Sequence, residues 1–131
     1  MRFVYDDGGR DAAGFKPGYD DCAARAAAIA TGRPYSEVYA AMRQELVKRG
    51  MPSPVPSFGV VDVVLHAVLR RWRWELGHDM PLRDVPDGRV IVHLRTHCVA
   101  VIDHVIHDIG PSADDTPVYG MWLPGARLVP A

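Results

Sequence analysis

At Arg89 the chain changes its repeat. Before that point apolar residues return every three or four positions, and after it they alternate with a period of two. A helical repeat lays one stripe of side chains on a core, whereas an alternating repeat puts every second side chain on one face of a strand. Helices followed by an antiparallel strand meander predict an α+β fold, with N-terminal helices packed on a C-terminal antiparallel β-sheet. The chain has 131 residues and no internal repeat, so 1–131 is read as one domain.

Met1 to Tyr5 reads as a short strand, and Asp6 to Gly18, rich in Gly and Asp, as a loop. The first helix is predicted to begin near Asp20-Asp21-Cys22, where either aspartate can accept the free N–H groups of the first turn. An alanine-rich run carries it to Ala30, and Gly32 and Pro34 end it. A second helix spans about Ser36 to Arg49, with Val38, Met42 and Leu46 on its apolar face and Tyr39 and Val47 beside them. Three prolines between Pro52 and Pro56 make a rigid turn. A third helix from Phe58 or Gly59 to about Arg71 buries Val60, Val63, Val64, Ala67 and Val68; Trp72 to Leu76 either ends it or starts a strand. Gly77 to Gly88 reads as loop. Strands are expected at Val90–Leu94, Cys98–Ile102, Val105–Ile109 and Val118–Trp122, and a fifth at Arg127–Val129.

Composition narrows the function. Hydrophobic residues make up 48% and charged residues 24%, values that support a packed core. With 15 basic and 16 acidic residues the net charge is −1, which disfavours nucleic-acid binding through phosphate neutralisation. The basic-aromatic stretch Arg70-Arg71-Trp72-Arg73-Trp74 reads first as a solvated helix end or strand face. The start of the chain lacks the apolar region of a secretory signal, and no apolar run reaches the ~20 residues of a membrane span. The expectation is a cytoplasmic protein with no membrane partner, in which Cys22 and Cys98 are free thiols.

Those thiols raise the question of chemistry. Cys22 falls at the start of a helix, and His97 and Asp108 fall on the two strands of a hairpin whose turn is Asp103-His104. A two-residue turn sets Ile102 opposite Val105, Val101 opposite Ile106, Ala100 opposite His107 and Val99 opposite Asp108. Alternation then puts His97 and Asp108 on one face as diagonal neighbours, within hydrogen-bond reach. Asp103 shares that face but lies six residues from His97, about 20 Å away at ~3.3 Å per residue. The predicted roles are Cys22 as nucleophile, His97 as its ion-pair partner and proton donor, and Asp108 as the group that holds the ring tautomer. The Cys22 N–H supplies one oxyanion donor, while Asp20 and Asp21 oppose the thiolate by their charge. Arg25 either pairs with Asp21 or binds a substrate carboxylate.

Each residue also has a plainer reading. Cys22 can be a core residue of an alanine helix, His97 a surface histidine and Asp108 a strand end. Cys98 is read as core and Asp103 as turn chemistry. His93, His97, His104 and His107 crowd one stretch with Cys98, but the hairpin does not converge them. No metal and no cofactor are expected. Trp122 and Tyr119 read as core before cleft.

The stretch Asp21 to Tyr35, Asp-Cys-x-x-Arg-Ala-x-x-Ile-Ala-Thr-Gly-x-x-Tyr, with His-x-Val-Ala-Val-Ile-Asp-x-Val-Ile-x-Asp from His97 to Asp108, resembles small papain-like cysteine peptidase-fold proteins of bacteria and their phages. The resemblance spans about Gly18 to Trp122. It implies a helix bearing the nucleophile packed on an antiparallel sheet bearing His and Asp, with Cys22, His97 and Asp108 at the matching triad positions. The chain departs from the pattern twice. His104 stands where the turn usually has Gly, and no Gln precedes Cys22 as an oxyanion donor, which leaves Lys16, Tyr19 or a backbone amide for that role. The function implied is a cysteine hydrolase cleaving an amide, isopeptide or thioester bond in a peptide or protein substrate. The alternatives are a non-catalytic binding or phage accessory protein, and an NlpC/P60-like cell-wall amidase, against which the absent signal weighs.

Overall fold

The computed structural model describes residues 1–16, 20–52 and 54–125. Alanine makes its first helix thin. Helix α1 (Cys22–Thr31) presents methyl groups on nearly every side, and eight of its ten residues are buried. It therefore fits between a sheet on one side and two helices, α2 (Tyr35–Lys48) and α3 (Val61–Val68), on the other. Gly32 closes it in the left-handed region, φ 73°, its N–H donating to Ala28 O.

Six strands form one sheet: β1 (Arg2–Tyr5), β2 (Trp72–Leu76), β3 (Arg89–His93), β4 (Cys98–Ile102), β5 (Val105–Asp108) and β6 (Gly120–Pro124). Their order across the sheet is β1-β5-β4-β3-β6-β2. Alternation splits the core in two. Ile91, Cys98, Ala100 and Trp122 face the helices with Cys22 and Ala26. Val90, Val92, Val99, Val101 and Ile106 face the other way, under Leu82, Val85 and Val118. This covering of both faces explains the unbroken apolar runs of β3 and β4.

The α+β class and the helix-to-strand order match the sequence expectation, and several details differ. The sheet is mixed, because β1 pairs parallel with β5 (Arg2 opposite Val105, Tyr5 opposite Asp108) while the other pairs are antiparallel. Residues 72–76 are a strand, paired with β6. The third helix is shorter than predicted and is preceded by a 3-10 turn, Phe58–Val60. That turn rotates its buried stripe to Val61, Val64, Leu65 and Val68. Val47 is exposed, not part of the α2 face. The fourth predicted strand starts two residues later, at Gly120. Within the predicted loop 77–88, Leu82 and Val85 are fully buried. The strand expected at Arg127–Val129 lies outside the described residues. No helix among the described residues is long and apolar enough to cross a membrane.

Candidate active site

The β4–β5 hairpin has the register that a two-residue turn dictates: Ile102 opposite Val105, Val101 opposite Ile106, Ala100 opposite His107. Asp103 and His104 both sit in the left-handed region, at φ 49° and 64°, as a type I′ turn requires. His104 adopts the conformation that glycine usually supplies, and it meets Asp87 Oδ1 at 2.8 Å. Asp103 is turn chemistry, its carboxylate accepting the Gly88 N–H at 2.8 Å.

This register brings His97 and Asp108 together. His97 lies at the mouth of the β3–β4 turn, where its carbonyl accepts the Leu94 N–H at 2.8 Å. Its Nε2 stands 2.5 Å from Asp108 Oδ2. The His97 pKa rises to about 9, first through the Asp108 hydrogen bond and then through the Cys22 thiol, against the opposing effect of burial. With Asp108 on Nε2, Nδ1 is the ring nitrogen left for Cys22. Asp108 is held in turn: its Oδ1 accepts the Ile109 N–H at 2.7 Å, and its backbone carbonyl accepts the Asp6 N–H at 2.9 Å.

Cys22 is the first residue of α1 and is 3% exposed. Asp21 occupies the N-cap position, yet its side chain makes no capping bond. It is taken by three other donors: Arg10 Nη1 at 3.0 Å, Arg25 Nη1, and the Tyr35 hydroxyl at 2.7 Å. All four side chains are buried. Arg25 also reaches Asp108, with Nη2 3.7 Å from Oδ1. Two consequences follow for the thiol. The Asp21 carboxylate leaves the first-turn N–H groups, that of Cys22 included, without a side-chain cap. The Asp21 charge, which sequence alone sets against a thiolate, is offset by two guanidinium groups. The Tyr35 hydroxyl is held protonated, its pKa far above the ordinary range because of burial and its bond to Asp21.

Of the remaining candidates, Cys98 is 1% exposed and its thiol is pushed well up by burial, as befits a core residue. Lys16 is exposed, and Tyr19 lies outside the described residues. Asp20 accepts the Phe58 N–H at 3.2 Å. Trp122 is core, whereas Tyr119 is exposed. Arg70–Trp74 straddles the end of α3 and edge strand β2, where Arg73 pairs with Glu75 at 3.2 Å. No group of three or more His, Cys, Asp or Glu among the described residues is arranged to hold a metal. Arg10 and Tyr35 are the residues sequence reasoning missed. Each is a single polar side chain whose partner, Asp21, is not adjacent in sequence; Tyr35 closes the quoted motif, but the motif does not say what it bonds. Compared with family models, curated proteins and solved structures, the chain matches none.

Proposed function

We propose that the chain is a papain-like thiol hydrolase acting on an amide, isopeptide or thioester bond of a peptide or protein. The observation that carries this reading is the His97 ring, bridged to Asp108 at 2.5 Å and raised to about 9 with Cys22 among the causes. A ring with that pKa is protonated at neutral pH and is the counter-ion a thiolate needs. The Cys22 Sγ attacks the carbonyl carbon, and the Cys22 N–H accommodates the oxyanion. The C–N bond then breaks as His97 Nδ1 gives its proton to the leaving amine. Water attacks the resulting thioester, His97 takes its proton, and the thiolate departs. Asp108 holds Nε2 through both steps.

The 3% exposure of Cys22 favours a second reading, a binding protein that keeps the geometry without turnover. The pH dependence of Cys22 alkylation separates them, measured in the parent and in His97→Ala, each with Cys98→Ser. A hydrolase shows a thiol reactive well below its reference value of ~8.5, and loss of that reactivity in His97→Ala. A thiol that titrates ordinarily in both proteins sinks the catalytic reading.

A further inference from the structure

Between the start of α3 and the β3–β4 turn lies a cavity of about 940 Å³. Its walls are tied to both halves of the triad. Phe58, on the lining, donates its N–H to Asp20, two positions before Cys22. Leu94, also on the lining, donates its N–H to the carbonyl of His97.

The charged side chains and the imidazole of the cavity lining are Asp62, Asp79, Arg95 and His93, beside the hydroxyl-bearing Thr116 and Tyr119. His93 is 2% exposed, and neither ring nitrogen has a hydrogen-bond partner among the described residues. Its Nδ1 stands 3.8 Å from Asp62 Oδ1, beyond hydrogen-bond range, and its Nε2 is buried alone beside the Trp74 ring. Burial lowers the His93 pKa to about 4, only partly opposed by Asp62, so the ring is neutral near pH 7. Two carboxylates therefore face one guanidinium, that of Arg95, and an uncharged imidazole.

We propose that this cavity is the subsite for a lysine-type side chain of the substrate, its ammonium held between Asp62 Oδ1 and His93 Nδ1 with Asp79 at the rim. This deepens the hydrolase reading and rests on it only for the identity of the reacting bond. Two acceptors 3.8 Å apart suit one ammonium nitrogen donating to each at the usual ~2.9 Å. A compact ammonium has several donors to share in this way, whereas a guanidinium fork matches the closer oxygens of a single carboxylate. The apolar surfaces of Phe58 and Tyr119 on the lining suit the methylene stem.

The test uses Cys22→Ala protein, so that binding is read apart from thiol chemistry. The peptide acetyl-Gly-Lys-Gly-amide and its norleucine and glutamate analogues are titrated while NMR follows the His93 ring and the Trp74 indole. The lysine peptide is expected to bind at least about tenfold more tightly than the norleucine peptide, the worth of one charge-assisted hydrogen bond. Asp62→Asn, at an exposed position whose folding circular dichroism checks, removes that preference. Equal binding of lysine and norleucine, tighter binding of glutamate, or no response at His93 overturns the proposal. Alkylation of Cys22 is scored separately. A reactive thiol without lysine preference overturns the subsite and leaves the hydrolase standing; lysine binding beside an ordinary thiol does the reverse.

Discussion

Asp21 stands where a helix cap should be and bonds elsewhere, and His97 is charged at neutral pH, where an isolated imidazole would be mostly neutral. Both follow from partners brought by remote parts of the chain. The His97 pKa of about 9 exceeds its ordinary 6.5, so the folded state holds this proton more tightly than the unfolded one. The stability it contributes is fully present below about 6.5 and is lost as pH rises through about 9. Urea-denaturation midpoints of the parent are expected to fall across that window, and those of His97→Gln to fall less. In Asp108→Asn the ring's NMR titration moves down toward 6.5. A parent ring already titrating there contradicts the assignment. The choice of Asp108 over Asp103 was legible in the sequence, because strand alternation and a two-residue turn leave one aspartate beside His97. The diversion of Asp21 was not, because Asp-Cys at a helix start looks the same whether the carboxylate caps or pairs with a distant arginine.

Among the elements, the hairpin was readable for the same local reason, while β2 was not. Trp72-Arg73-Trp74-Glu75-Leu76 alternates over only five residues and follows directly on a helix. Its strand character comes from β6, which pairs Trp74 with Trp122 and Leu76 with Gly120. Gly120 leaves room for the Trp74 ring; a Cβ there would come within 2.2 Å of that ring. Gly120→Ala is therefore expected to cost about 1–3 kcal/mol in urea denaturation, the range for overpacking a filled site, with a change in the near-ultraviolet signal of Trp74. Unchanged stability would rule out this close contact. Because Trp74 also packs edge-on against His93, with ring centroids 4.9 Å apart, the same substitution should disturb the cavity floor.

At the scale of the molecule, one buried charge cluster joins the N-terminal loop, α1, α2 and β5 through Arg10, Asp21, Arg25, Tyr35 and Asp108. Removing one member of such a cluster leaves the others desolvated without compensation. Arg25→Met is expected to lower unfolding free energy by about 3 kcal/mol or more and to move the pH midpoint of Cys22 alkylation upward, since one of the two cations that offset Asp21 is gone. A variant as stable as the parent, with an unmoved midpoint, would show that the cluster supports neither fold nor thiol. The mixed sheet belongs to this scale too: β1 and β5 are far apart in the sequence, and no short-range pattern announces their pairing.

The strand order carries a consequence in time. β6, the last of the six in the chain, is the strand that joins β3 to β2, and β1 finds its place only beside β5. On a ribosome the helix with Cys22 emerges long before His97 and Asp108, and the sheet that holds them stays open until β6 follows. The nascent thiol thus emerges without its imidazole, and the two meet only after the β4–β5 hairpin has followed the helix.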